Sequence, residues 1–343
     1  MTTQQTDSSR LKPGSALSPT QNFPRKVRPP QPMWTYRGLI ACWAVSSISD
    51  GGWFLQTPAT LSPTGFDKPA ARREAAVVCL SKLPPFHPAA LKLLNLSSES
   101  MSAIHDFELV FRSDPALTAD LLLVANSPLF GNRAQVATIR HALTHLGLER
   151  VRSLATVIAV SFFVRNQPRT GQIRNIWLHG IATAWIAEKL GNLSGLPDLY
   201  SAGLTHDLGR LGFLLSMGPR YEAEIDREFA DIAEANQVET GLFGMDHCEA
   251  GGVVARKWGF PAVLQDCMTN HHEYQPGQPA GHGQPVALVR MACQMADSLG
   301  FAEVRWLEPP PPSELPNRLK NHADLAPDRL REQISQQIGA MGG

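Results

Sequence analysis

Residues 114–125 read DPALTADLLLVA, and this stretch contains both a helix start and an apolar helix body. Asp114 is a good N-cap because its carboxylate can accept a hydrogen bond from a free backbone N–H in the first helical turn. Pro115 suits the first helical position, where a missing N–H costs little. The apolar run that follows continues to Ala125. The stretch therefore predicts a helix that begins at Pro115 and ends near Ala125.

The same kind of pattern extends outward on both sides of this helix. Towards the N-terminus, the prolines at 84, 85 and 88 separate two helical segments. Towards the C-terminus, the apolar periodicity continues and glycine and proline interrupt it at intervals. The predicted helices span residues 71–82, 88 onward, 139–146, 149–164, 172–190, 198–216, 219–238, 246–258, 261–272, 284–300 and 327–338. No stretch alternates as a half-buried strand does, so the predicted fold class is all-α.

Composition divides the chain into three parts. Residues 1–68 are rich in Pro, Ser, Thr and Gln and lack a helical period, which predicts a disordered or loosely packed extension. Residues 70–302 form the predicted helical domain, with an N-terminal lobe over 70–168 and a second lobe over 171–302. Residues 303–343 begin with a proline-rich linker and end in a helix.

Charge and cysteine content limit the class of protein. The 343 residues carry a formal net charge of zero, which does not favour nucleic acid or an anionic membrane as the partner. The five cysteines show no CxxC spacing, as expected of free thiols in a reducing compartment. No apolar stretch is long enough to span a membrane. We therefore expect a cytoplasmic protein.

The second lobe contains a widely spaced set of residues that commonly bind divalent metals. Imidazole and carboxylate groups suit borderline metals such as zinc. The spacing is too long for a zinc finger but suits a helical bundle in which several helices each send one side chain to a shared centre. The predicted ligands are His179, His206, Asp207, His247, His271 and Asp297.

Three details of this set guide its interpretation. Of the pair His271 and His272, we expect one imidazole to face the centre, because successive helical residues point about 100 degrees apart. Asp207 is placed to bridge two metals, which would activate water for attack on a phosphoryl centre. Arg210 lies one turn further on, where it could meet a phosphate or face solvent. A set of this kind predicts one or two divalent ions, or a buried hydrogen-bond network without a metal.

The pattern over residues 176–300 resembles the HD superfamily of metal-dependent phosphohydrolases, in which a His, a His-Asp pair and a distal Asp bind the metal. The N-terminal lobe is similar to the HDOD family of bacterial signalling modules. That similarity rests on Leu83-Pro84-Pro85, the Asp114 segment, Ala125-Asn126-Ser127-Pro128 and the stretch from Ile139 to Gly147. The resemblance covers roughly residues 70–300.

This resemblance implies a compact α-helical output or scaffold domain, in a family whose members mostly lack phosphohydrolase activity. His247 and the His271-His272 pair resemble the longer ligand set of cyclic di-GMP phosphodiesterases. However, the Gly-Tyr-Pro signature of that branch is absent after His272, and Arg210 stands where such enzymes usually have lysine.

The expected function is therefore that of a signalling protein that binds regulatory proteins and is modulated by a metal or a nucleotide. The alternative is a metal-dependent phosphohydrolase acting on a nucleotide or cyclic dinucleotide, with Asp207 and Arg210 in the catalytic centre.

Overall fold

The computed structural model describes residues 68–126, 135–165, 171–196, 199–272, 283–311, 315, 317, 319–320 and 322–340. Within these residues the chain is almost entirely helical, which confirms the all-α class. The predicted extension over 1–68 lies outside the described residues except for Lys68.

The first group of helices follows the predicted pattern closely. These helices are α1 (Pro69–Leu80), α2 (Pro88–Asn95), α3 (Ala103–Arg112), α4 (Pro115–Ala125), α5 (Ile139–Leu146) and α6 (Leu148–Arg165). Helix α4 begins as predicted, since Asp114 Oδ1 accepts a hydrogen bond of 2.9 Å from the Leu117 N–H. Helix α5 ends at Gly147, whose φ of 84° suits glycine. Helix α3 was not among the predicted helices.

The second group of helices contains one long helix, against which several of the others pack. Its members are α7 (Gly171–Ser194), α8 (Tyr200–Thr205), α9 (Leu208–Met217), α10 (Pro219–Ile225), α11 (Ile232–Phe243), α12 (His247–Trp258), α13 (Ala262–Asn270), α14 (Gly283–Ser298) and α15 (Pro327–Ala340). Helix α7 contacts α8, α14 and α15, while α12 contacts both α9 and α13. These contacts bring the helices that contain the predicted ligands together.

Two predicted helices are each divided in the structure. The helix expected over 198–216 breaks at His206 and Asp207, and Asp207 takes the N-cap position of α9. The helix expected over 219–238 breaks after Ile225, and α11 starts where Asp231 Oδ1 accepts from the Glu234 N–H at 2.9 Å. The intervening Glu228–Phe229 (β1) pairs in parallel with Arg305–Trp306 (β2). This pair of two-residue strands was not predicted.

An aromatic cluster packs α9 against α10 and α11. The Phe213 and Phe243 rings stack with centroids 4.5 Å apart, and the Tyr221 ring lies 5.4 Å from Phe213. All three side chains are buried. The cluster fixes Glu239 on α11, because the Tyr221 hydroxyl donates to Glu239 Oε1 at 2.7 Å.

None of the described helices is both long enough and apolar enough to cross a membrane.

Candidate metal centre

The predicted ligands come from five separate places in the second group of helices and lie in one buried region. His179 is in the middle of α7, the His206–Asp207 pair lies between α8 and α9, and His247 is the first residue of α12. His271 follows the last residue of α13, and Asp297 is near the end of α14. All six side chains are buried, and the four imidazoles have no exposed surface.

Asp207 lies at the centre of the group. Its Oδ1 atom is 3.4 Å from His247 Nε2 and 3.6 Å from His271 Nε2. Neither of its two carboxylate oxygens has a hydrogen-bond partner, although both are buried. A buried carboxylate without partners is costly. A cation between Asp207 and the imidazoles would satisfy it.

The histidines share one orientation, with Nδ1 facing outward to an acceptor. His206 Nδ1 lies 2.7 Å from the Gly203 carbonyl oxygen, and His271 Nδ1 lies 3.0 Å from that of Cys267. His179 Nδ1 lies 2.9 Å from the Phe301 carbonyl oxygen. Because a carbonyl only accepts, each Nδ1 carries a proton, and Nε2 is the ring nitrogen that faces the centre. Metal-binding histidines are commonly oriented in this way.

His247 has the same orientation with a carboxylate as its acceptor. Its Nδ1 lies 2.6 Å from Glu239 Oε2, and its backbone N–H donates to the same oxygen at 2.8 Å. Glu239 is thus held by two groups of one residue, with Tyr221 on its other oxygen. The carboxylate fixes the ring so that Nε2 points to Asp207.

The closest pair of ring nitrogens gives the most specific sign of a cation position. His179 Nε2 and His206 Nε2 are 3.2 Å apart. With both Nδ1 atoms protonated, the two lone pairs face each other, which is unfavourable without a positive charge between them. Two nitrogens bound at 2.0–2.1 Å to one tetrahedral ion would be about 3.3 Å apart. The chain's own donors therefore fit a divalent metal.

Asp297 lies on the other side of His179 from these donors. Its Oδ1 atom is 3.4 Å from His179 Nδ1, the ring nitrogen that faces away from His206. Among the described residues, Asp297 belongs to none of the groups whose ligand atoms all lie within 4.8 Å of one another. Glu303 does, together with His179 and Asp207. The structure thus brings five of the six predicted ligands to the inner cluster and puts Asp297 behind it.

Arg210 is completely buried, so the expectation that it could face solvent was wrong. Its guanidinium lies 3.6 Å from Asp207 Oδ2, 3.6 Å from Glu239 Oε1 and 3.8 Å from Glu303 Oε1. None of its three nitrogens makes a hydrogen bond. Arg210 is therefore a fixed positive charge among three buried carboxylates.

The electrostatics of the centre follow from this arrangement. Burial alone would raise the pKa of Asp207, but His247, His271 and Arg210 hold it well below its usual range. Burial also opposes ionisation of Glu239, yet Arg210 and His247 lower its pKa to about 2. Both acids are therefore carboxylates near neutral pH. By contrast, burial and the charge of Glu303 raise the pKa of Asp297 well above its usual range.

Five residues of the site were absent from the predicted ligand set: His272, Glu239, Glu303, Cys248 and Cys293. The sequence predicts that only one imidazole of the His271–His272 pair faces the centre, but the pair lies in a turn after α13, where the helical spacing argument does not hold. The His272 ring centroid is 5.0 Å from that of His247. Cys248 stands directly after His247, and that adjacency was the one available signal in the sequence.

A small apolar cavity reaches the cluster. It is lined by Val160, Ile176, Trp177, Gly180, Leu204, Asp207, Leu208 and Leu211. Its volume is about 10 Å³, which is the room that one water molecule needs. Asp207 is its one charged lining residue.

Comparison with known families agrees with the fold. The model of the HDOD domain matches residues 83–274. The chain belongs to the HDOD family. The match lies within the predicted domain over 70–302 and includes five of the six predicted ligands, from His179 to His271.

Solved structures of similar fold include an HDOD domain protein with unknown function from Geobacter sulfurreducens. It is 22% identical, with a TM-score of 0.55 over 78% of this chain and 89% of that one. A "putative signal transduction protein" from Marinobacter aquaeolei VT8 is 18% identical, with a TM-score of 0.55 over 82% of this chain and 68% of that one. At these identities the likeness concerns the fold.

A curated relative is an uncharacterized protein of Treponema pallidum (strain Nichols). It is 23% identical over 184 residues, which are 50% of this chain and 36% of the relative. The chain thus matches about a third of that protein's length.

Proposed function

We propose that this HDOD protein is an output or scaffold protein of bacterial signal transduction. It acts by binding regulatory proteins, and its buried centre holds one or two divalent metal ions as part of the folded framework. The ions would be held by His179, His206, Asp207, His247 and His271, and they supply positive charge to a cluster that otherwise contains unpaired buried acceptors. Family membership supports the signalling role, while the donor geometry supports the metal.

One observation supports a structural centre over a catalytic one, namely the closure of the ligand set. The four imidazoles and Arg210 have no exposed surface, and Asp207 is only 3% exposed. This burial favours a structural site, because a catalytic site keeps one position of its metal open for water or substrate. The cavity beside Asp207 is about 10 Å³, the room that one water molecule needs.

The test is phosphodiester turnover by protein purified without chelators. The panel consists of an activated aryl phosphodiester, cyclic mononucleotides and cyclic dinucleotides, each with added zinc, manganese or magnesium. We expect no turnover above that of the matched variant Asp207→Asn, which keeps the shape of the side chain and loses its charge. Turnover by the wild type that disappears in Asp207→Asn would exclude the structural role.

The alternative function is that of a metal-dependent phosphohydrolase, and one observation favours it. Both oxygens of Asp207 are buried and without hydrogen-bond partners, as expected of a carboxylate that bridges two ions. Arg210 would then help to balance the charge of a phosphate. This function requires the helices around the cavity to move apart, and a substrate that protects α8 and α9 from hydrogen exchange would support it.

A further inference from the structure

The thiol of Cys248 lies among imidazole nitrogens in the part of the centre that faces α12 and α13. Its Sγ atom is 3.6 Å from His247 Nε2 and 3.7 Å from both ring nitrogens of His271. Together with His272, these residues form a group of four donors whose ligand atoms all lie within 4.8 Å of one another. This group is the largest donor set within that distance among the described residues.

The distances in this group match those between ligands of one tetrahedral ion. A sulfur bound at 2.3 Å and a nitrogen bound at 2.0–2.1 Å would be about 3.5 Å apart. The distance from Cys248 Sγ to His247 Nε2 is close to that value.

The remaining donor in the group is His272, and its position also points to a ligand. Its Nε2 atom is buried and has no hydrogen-bond partner. His271 Nδ1 faces the Cys267 carbonyl, so Nε2 is the nitrogen left for the centre. The carboxylate of Glu239 accepts from His247 Nδ1, so Nε2 of His247 also faces the centre. Three imidazoles and one thiol thus place their ligand atoms within 4.8 Å of one another.

We propose that His247, Cys248, His271 and His272 form a nitrogen–sulfur metal site that selects zinc-class ions over magnesium, calcium and manganese. The inference rests on the metal centre of the proposed function and goes further by naming the sulfur ligand and the class of metal. Thiolate and imidazole favour borderline and soft ions, while hard ions prefer oxygen. The site lies beside Asp207, which is 3.4 Å from His247 Nε2.

Cys293 provides the internal comparison. Its Sγ atom is 3.6 Å from His179 Nε2, and it forms a group with His179 and His206. It thus borders the other half of the centre. Cys267 is a third buried thiol, and it belongs to none of these donor groups. The chain therefore offers three buried cysteines for the test. Cys248 is the proposed ligand, Cys293 is the comparison, and Cys267 is the control outside the donor groups.

The experiment loads chelator-treated full-length protein with cobalt(II) and records its absorption. A cobalt–thiolate bond gives a charge-transfer band in the near ultraviolet that nitrogen and oxygen ligands do not give. In a Cys293→Ser background, which removes the second thiol beside the imidazoles, we expect the band to be present. It should persist when Cys267→Ser is added and be lost when Cys248→Ser is added. Zinc should displace the cobalt, while excess magnesium should not. Zinc affinity of Cys248→Ser should fall by at least the 10–100-fold that loss of an outer-shell partner costs.

A second measurement on the wild type avoids dependence on the folding of the variants. Zinc-edge X-ray absorption should show sulfur at about 2.3 Å from the metal. A metal shell of nitrogen and oxygen alone, or a cobalt band unchanged in Cys248→Ser, would overturn the inference while leaving a closed metal centre in place. Turnover by the wild type that is lost in Asp207→Asn would instead overturn the proposed function, while the cobalt band of the wild type would remain. Failure to bind cobalt or zinc at all would overturn both.

Discussion

At the scale of single residues, Arg210 determines the charge balance of the centre. It is a fully buried guanidinium within 4 Å of carboxylates on Asp207, Glu239 and Glu303. One guanidinium offsets only part of the charge of three buried acids, so the cluster depends on further positive charge. Lysine would fit this position less well. Its ammonium is a single compact charge, whereas the planar guanidinium of arginine spreads its nitrogens toward all three acids.

Replacing Arg210 should therefore be among the most destabilising changes in the domain. Arg210→Ala leaves three buried carboxylates uncompensated, and we expect it to lower the free energy of unfolding by about 3–5 kcal/mol in metal-free protein. Arg210→Lys should lower it by less, because the charge remains. Urea unfolding of both variants measures this.

The control for this prediction is Arg220→Ala, since Arg220 is an exposed arginine in the same lobe. A surface change of that kind is expected to stay within about 0.5 kcal/mol of the wild type. If Arg210→Ala costs no more than the control, the guanidinium does not balance the buried acids.

The sequence predicted those ligands whose residue types commonly bind metals. His and Asp at long spacings indicated a shared centre, and five of the six predicted residues lie in the inner cluster. Glu239 and Glu303 gave no such signal, because acidic side chains are usually solvated. Glu239 is buried by the packing of α11 against α9 and α10, and Glu303 is buried in the segment between α14 and β2. Neither packing can be read from the local sequence.

At the scale of elements, the close approach of α9 and α12 brings Asp207 next to His247. A side chain at Gly209 would press on the His247 carbonyl oxygen and would come within 2.7 Å of the Gly251 nitrogen. Both are backbone atoms, which cannot move aside as a flexible side chain can. The absence of a side chain at Gly209 is thus a condition for the geometry of the centre.

Gly209→Ala should push the two helices apart and reduce both stability and metal affinity. We expect a loss of roughly 1–3 kcal/mol, as for other overpacked sites, together with weaker zinc binding. Isothermal titration with zinc and thermal unfolding would measure the two effects.

The matched control is Gly241→Ala in α11, where a new side chain meets no atom within 4 Å. There the better helix propensity of alanine should stabilise the protein by up to about 1 kcal/mol. Equal effects of the two substitutions would show that close packing at Gly209 does not matter.

Helix α7 also contains a group that predicts a pH dependence remote from the centre. Burial raises the pKa of Glu188 to about 7, with Arg150 and Lys189 opposing the rise. The folded protein is therefore more stable when this carboxyl group is neutral. Stability from this group is fully present below about pH 4.5 and is lost as the pH rises through about 7.

Glu188→Gln should remove this dependence. At pH 8 we expect the variant to be more stable than the wild type by up to about 3 kcal/mol, and at pH 4.5 to differ little. Denaturant unfolding at both pH values measures the difference. Glu224→Gln, at an exposed position of α10, is the control and should show no such change. A pH-independent difference would contradict the assignment.

The ends of helices were predictable from the sequence where the capping residue stands directly beside the helix. Asp114, Gly147 and the prolines before α2 mark helix ends in the sequence and do so in the structure. The break between α8 and α9 carries no such mark. His206 and Asp207 interrupt an apolar run there because both side chains turn into the centre, and that depends on residues far away in sequence.

At the scale of the whole molecule, the class and family followed from many weak signals that agree. Helical periodicity through most of the chain gave the all-α class, and the order of motifs from Leu83 to His272 gave the HDOD resemblance. The pairing of Glu228–Phe229 with Arg305–Trp306 could not be predicted, since two-residue strands leave no period in the sequence. The function depends on whether this helical framework encloses a metal or exposes it.

The most direct test of a closed metal centre is the metal content of wild-type protein purified without chelators, measured per chain by elemental mass spectrometry. We predict one or two equivalents of a zinc-class ion in the wild type and a loss of that metal in Asp207→Asn. A well-folded wild-type protein that contains no metal and takes up none from a zinc-supplemented buffer would contradict the account.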